Sequence, residues 1–249
     1  MVNAAEVQHE QALRTLAEHR DRIRGGADRQ AAIDFVPATW RRHVQEAASG
    51  ADAVEVVTDL DAVLSVLDGN SINRAQLRDI AQRCEPDDTS GLRRLFIAAM
   101  IWGRGKANGR MMPGLAQAIH HPDLPKLLQT TAEATSSEDA YRSWKSGRMP
   151  GLGEAFFTKW LWAASMIPQR KYHAFVLDRL VRESLTNHVS EGGLAWSSTT
   201  AAGTRRLATR YQAYVDACCK WAKALGCSPA DIEWALFKAE GDLRTLPRR

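Results

Sequence analysis

The chain has 249 residues, 45% hydrophobic and 25% charged, with a formal net charge of +4. That is enough for a sizeable buried core, and no run approaches the roughly 18 uninterrupted apolar residues that a membrane span needs. Cys84, Cys218, Cys219 and Cys227 form no CxxC pair, which excludes the common zinc and iron–sulfur spacings and fits reduced thiols in a cytoplasmic protein. The opening MVNAAEVQHEQ is polar and mixed in charge and predicts no secretory signal.

Helical spacing prevails from there on. Residues 5–24 put Ala12, Leu13, Leu16 and Ile23 at helical spacing and end at Gly25-Gly26. Thr39 is the expected cap of a helix through WRRHVQEAAS. In DAVEVVTDLDAVLSVLDG the run VEVV would suit a strand, but Leu60, Val63, Leu64 and Leu67 favour a helix ended by Gly69-Asn70. Ser71 then caps NRAQLRDIAQRC, and Pro86-Asp87-Asp88 make a turn. GLRRLFIAAMIWG is a strongly apolar helix that runs into the glycine-rich loop GKANGRMMPG. Residues 114–131 read as a helix interrupted near His121-Pro122.

Ser136 or Ser137 caps SEDAYRSWKSGR, with acids in its first turn. The turn Met149-Pro-Gly-Leu-Gly153 leads to EAFFTKWLWAASM, broken by Pro168, and then to a helix through AFVLDRLVRESLTNHV. SEGGLAWSSTTAAGT is a small-residue loop. Helices over 204–225 and 229–240 close the chain, the second capped by Ser228 with Pro229 at its first position. Neither a repeat nor a low-complexity linker is present, and the reading is an all-α protein.

Charge is distributed unevenly. Residues 51–90 carry nine acids against three basic residues, while residues 141–182 carry eight basic residues against two acids. A basic segment around a glycine turn suits a polyanion such as a nucleic-acid backbone, although a solvated helix face would look the same.

Helix, Met149-Pro-Gly-Leu-Gly153, helix is the order of a helix-hairpin-helix motif, spanning about residues 137–166. Gly151 and Gly153 let the backbone turn with positive φ and without a Cβ in the way. The amides of the turn and of the next helix start can then cradle a phosphate, helped by the positive helix end, with Arg148 beside them. Leu152 would plug inward and lock the two helices together. The same proline and glycines also make an ordinary connection between helices.

Nineteen positions beyond Lys159 comes Asp178, in HAFVLDRLV. With these residues "MPGLGEAFFTKWLWAA" followed by "VLDRLV" resembles the helix-hairpin-helix DNA glycosylase superfamily, and is most similar to bacterial and archaeal proteins with an 8-oxoguanine glycosylase-like fold. The resemblance is sharpest over about residues 137–182, with weaker echoes in AAMIWGRG and PADIEWALFKAEGD. It implies two helical lobes, formed from interleaved segments of one unit over 1–249, with an active-site cleft between them. In that superfamily an aspartate opens the helix after the hairpin pair, and Asp178 matches it. Bifunctional members add a lysine two residues after the second glycine. Ala155 stands there, and Lys159 lies one helical turn further on, pointing the same way about 6 Å along the axis.

The chemistry accounts for such a pair. Breaking an N-glycosidic bond builds positive charge on the sugar, which a carboxylate from Asp178 would favour. A lysine shielded by Phe156, Phe157, Trp160 and Trp162 would lose hydration and become a better nucleophile, so that Lys159 could form a Schiff base with the sugar and cleave the strand. Taken singly, Lys159 reads equally as a snorkelling side chain and Asp178 as a helix cap.

A base inside a duplex has to be flipped out into an aromatic or apolar pocket. Trp102 and Trp196, at loop edges, and Phe156 are the candidates for that pocket, with Trp234 and Phe157 as others. Arg104, Lys106 and Arg110 could contact phosphate or wedge into the duplex. His120-His121 and Asp68-Gly69-Asn70 read as structural, so no metal site is expected. The resemblance requires no cofactor and allows a monovalent cation at the hairpin. The expected partner is double-stranded DNA with a modified base, bound by a monomer without a membrane. The favoured substrate is 8-oxoguanine. The alternatives are a hypermodified base in phage DNA, such as a glucosylated cytosine, removed as antiviral defence, and a DNA-binding module without catalysis.

Overall fold

The structure, a computed structural model, describes residues 4–48, 53–67, 70–85, 87–104, 113–186, 204–239 and 242–247. Among them run thirteen α-helices: α1 (Ala4–Ala17), α2 (Arg20–Ile23), α3 (Pro37–Ala47), α4 (Ala53–Val66), α5 (Arg74–Ala81), α6 (Thr89–Gly103), α7 (Pro113–Ile119), α8 (Leu124–Ala132), α9 (Ser137–Gly147), α10 (Glu154–Ala164), α11 (Arg179–Ser184), α12 (Thr204–Leu225) and α13 (Pro229–Lys238). One short antiparallel pair, β1 (Ile33–Asp34) with β2 (Ser71–Ile72), sets Ile33 opposite Ile72. The protein is all-α.

The chain divides into two units. One comprises Met1–Gln30 and Phe175–Arg249, the other Ala31–Ala174.

The Ala31–Ala174 unit is built around α6. Asp88 starts that helix by accepting the Gly91 amide at 2.8 Å. From Leu92 to Trp102 every residue but Arg94 is buried, as expected of a helix with apolar side chains all round. Neighbours on several sides, α4, α5, α8 and α10, cover it. Aromatic side chains fix α9 and α10 upon it. Phe96 stacks on Trp144 with ring centroids 6.1 Å apart and meets Trp160 edge-on at 5.9 Å. Tyr141 meets Phe157 at 5.0 Å. The Trp160 indole donates to the Thr131 hydroxyl at 2.8 Å, so a buried polar atom is satisfied at the centre of the cluster.

Part of the acidic stretch is used here internally. Arg93 and Asp59 form a buried pair at 2.6 Å, with Glu55 3.2 Å from the same guanidinium.

In the other unit α13 is the hub. Ser228 and Asp231 form a capping box at its start, with Pro229 at the first position. The second Asp231 function is to accept the Ala27 amide at 3.0 Å, which ties the N-terminal segment to α13. Trp234 packs so closely on Gly26 that a Cβ there would lie 2.1 Å from the ring. Arg20 donates to the Leu225 carbonyl at 2.8 Å and closes the C-terminus of α12.

Several boundaries differ from expectation. The first helix breaks at Glu18-His19, where the His19 amide reaches back to Leu16 in a tighter turn. Thr39 lies inside α3, because Pro37 takes the first turn and Val36 precedes it. Asn73, not Ser71, caps α5: its side chain and that of Gln76 exchange hydrogen bonds with each other's amides at 2.9 Å, and Ser71 is committed to β2. Between the two candidates Ser136 is the cap of α9. No helix spans AFVL, since α11 starts only at Arg179. The DGN and GKANGR turns and the SEGGLAWSS loop lie wholly or mostly outside the described residues.

Candidate functional site

The α9 helix ends at Gly147, and Arg148 carries the chain into a left-handed conformation with φ 49°. Gly151 follows with φ +74°. Its missing side chain is needed twice over, because a Cβ there would lie 2.6 Å from the backbone of Gly114 at the start of α7. Met149 and Leu152 are buried, so Leu152 points inward as expected.

Gly153 is different. A Cβ built on it meets nothing within 4 Å, and it begins α10 without a side-chain cap. The open approach and the uncapped amides at this helix start form a surface suited to an anion. The Glu154 carboxylate accepts a hydrogen bond from Tyr141 of α9. Arg148 and Lys145 are exposed beside the turn.

One turn into α10, Lys159 is half-buried. Its stem lies against Gly103 at the end of α6, where a Cβ would be 2.6 Å from the lysine Cδ. The ammonium sits 5.2 Å from the centroid of the Phe156 ring, a cation–π contact. Of the four aromatics expected around Lys159, Phe156 fills that role. Phe157 and Trp160 belong to the aromatic cluster under α9 and α6, and Trp162 faces Trp102 with centroids 5.0 Å apart.

Trp102 is 5% exposed and holds the guanidinium of Arg74 jointly with Trp162, at 5.2 and 4.8 Å. Arg104 caps the C-terminus of α6, where burial pulls its guanidinium below the ordinary value. Gly103, Arg104, Phe156 and Lys159 thus gather at one partly open end of the α6–α10 pair. Sequence reasoning missed Gly103 and Arg74, which carry no motif. Trp196, Lys106 and Arg110 lie outside the described residues. Trp234 is buried in the other unit, and the His120 ring is held by the Val44 carbonyl at 2.8 Å, a structural role.

Asp178 belongs to the unit with both chain ends. It caps α11, with one carboxylate oxygen accepting the Val181 amide at 3.0 Å. Among the described residues its other oxygen accepts no hydrogen bond, and the side chain is half-buried. Capping and chemistry are therefore compatible, one oxygen for each.

The fold defines the class: an all-α protein with a glycine turn between two helices and a carboxylate at the head of a later helix. The sequence profile of the family described as "Putative 8-oxoguanine DNA glycosylase OGG-like protein" matches residues 26–237. The chain belongs to that family. Membership supports a DNA glycosylase with DNA as its partner. No curated protein and no solved structure matches the chain. Among the described residues no helix is long and apolar enough to cross a membrane.

Proposed function

We propose that this glycosylase turns a modified nucleotide out of the duplex and cleaves its N-glycosidic bond, with 8-oxoguanine as the favoured base. The observation that carries the reading is Asp178: a carboxylate fixed by its own helix through one oxygen, with the second accepting no hydrogen bond among the described residues. As the base leaves, positive charge grows on the sugar, and that oxygen favours it. The turn from Arg148 to Gly153 acts as a helix-hairpin-helix clamp on the DNA backbone. It positions the protein without reading sequence. Phe156, Trp102, Trp196 and Arg104 serve the extruded base or the gap it leaves.

Lys159 is the candidate nucleophile. Its amine would attack C1′, the base would leave with the bond electrons, and ring opening would give an imine that borohydride reduces. No cofactor is needed for these steps; a monovalent cation at the hairpin would only strengthen the phosphate grip. The site suits a monomer acting alone.

Ala155 favours a second reading. It stands where bifunctional relatives carry lysine, and a lysine displaced to 159 would suit a roomier or altered pocket for a hypermodified base such as a glucosylated cytosine, in which case the activity serves antiviral defence.

The test is base release from duplexes carrying 8-oxoguanine opposite cytosine, alongside phage DNA with glucosylated cytosine. Asp178→Asn keeps the cap, because asparagine caps as well as aspartate. It should lower release about 10²–10³-fold while stability holds within about 1 kcal/mol. Lys159→Ala should remove the borohydride-trapped adduct. Trapping that survives this change would assign the nucleophile elsewhere. Salt-sensitive DNA binding without release from any substrate would leave a binding module.

A further inference from the structure

Phe175, Val176 and Leu177 are all buried and lead into Asp178 without helix or sheet to hold them. Buried backbone groups need partners, and α12 supplies them from its side chains. The Tyr211 hydroxyl donates to the Phe175 carbonyl at 2.8 Å and accepts the Phe175 amide at 3.2 Å. The Tyr214 hydroxyl donates to the Val176 carbonyl at 2.9 Å. Three residues apart on one helix, the two tyrosines share a face, and both are essentially unexposed.

Burial pushes the Tyr214 phenol well above its ordinary value, and Cys218, Glu233, Tyr211 and Asp178 add to the effect in that order. Tyr214 therefore remains a donor at any working pH, and it lies near enough to feel the Asp178 charge.

Resting on the reading of Asp178 as the catalytic carboxylate, we propose that Tyr211 and Tyr214 are positioning residues that clamp the two residues before Leu177 and so fix where that carboxylate points. Two constraints then act on Asp178 from opposite sides in sequence. The tyrosines hold the chain entering it, and the Val181 amide holds its side chain from beyond. A misplacement of about 1 Å at a reacting group can cost around 10²-fold in rate, so such a clamp matters even where it touches no substrate.

The test compares Tyr211→Phe and Tyr214→Phe with Tyr172→Phe. Tyr172 is an equally buried tyrosine whose hydroxyl donates to the Thr131 carbonyl at 3.0 Å in the other unit, so its loss controls for a missing buried hydrogen bond. Three quantities are read: hydrogen exchange of the Val181 amide, single-turnover base release from an 8-oxoguanine duplex, and affinity for that duplex. The Tyr211 and Tyr214 variants should speed Val181 exchange and slow release, each by at least about tenfold, with affinity held within about twofold. Tyr172→Phe should change none of the three.

Unchanged Val181 exchange in both variants would overturn the clamp, as would an equal loss of release in the Tyr172 control. Faster exchange in a protein whose wild type releases no base from any duplex would leave the clamp standing and remove the catalytic reading of Asp178 instead.

Discussion

Arg148 holds a left-handed backbone with φ 49°, a conformation that costs a side-chain-bearing residue about 1 kcal/mol. Glycine is the usual occupant of such a helix end, and the proposed phosphate contact gives an exposed arginine there a use for its charge. Arg148→Gly is expected to hold stability or raise it by up to about 1 kcal/mol, as relief of strain competes with the greater entropy of the unfolded glycine chain. Duplex affinity should fall in the same variant, and the slope of log affinity against log salt should shrink by about one phosphate contact. Denaturant unfolding and a salt titration of binding check the two halves. At this scale some of the capping residues are legible in the sequence. Ser228 and Asp178 each act on the amide three positions ahead, within reach of their own side chains. Thr39 and Ser71 were misassigned because a proline and an asparagine close by make the better start.

The two glycines of the α9–α10 turn separate structure from binding. Gly151 needs both its positive φ and its bare Cα, since Gly114 stands where its Cβ would go. Gly151→Ala should therefore destabilise by about 2–3 kcal/mol, read as a lowered denaturation midpoint. Gly153→Ala meets no atom within 4 Å and has an ordinary φ of −70°, so stability should change by no more than about 1 kcal/mol, the preference of a helix cap for glycine over alanine. If a phosphate rests on this helix start, the added methyl stands in its way, and affinity for duplex should drop while the midpoint stays. An affinity that does not change would move the phosphate contact off Gly153. The sequence marked both glycines as turn formers. It carried no sign of which one the rest of the unit presses against, because Gly114 lies on a separate helix 37 positions earlier.

Over the whole molecule the uneven charge has two different meanings. In the acidic stretch, buried Asp59 pairs with buried Arg93 while Glu55 meets the same guanidinium from the surface, so part of that block is core. Removing one member of a buried pair leaves the other uncompensated, and Asp59→Ala should cost about 3–5 kcal/mol in denaturant unfolding. Replacing both, Asp59→Leu with Arg93→Met, should recover much of that loss. In the basic stretch, Lys145 and Arg148 are exposed beside the glycine turn, while Arg179 is exposed with its charge answered by Glu183 at 2.6 Å.

Helical periodicity, local caps and turn glycines by themselves determined an all-α protein and its glycine turn, since each depends on residues within a few positions of one another. Only tertiary structure decided the rest. The run Ala174–Leu177 is apolar on every side, and such a run fits a buried helix or a buried extended segment equally well. Hydroxyls 36 and 38 positions away chose the extended form by pairing with its backbone. Likewise the environment of Lys159 came from Gly103 on another helix, and that of Trp102 from Arg74 and Trp162, distant partners that no local pattern of residues specifies.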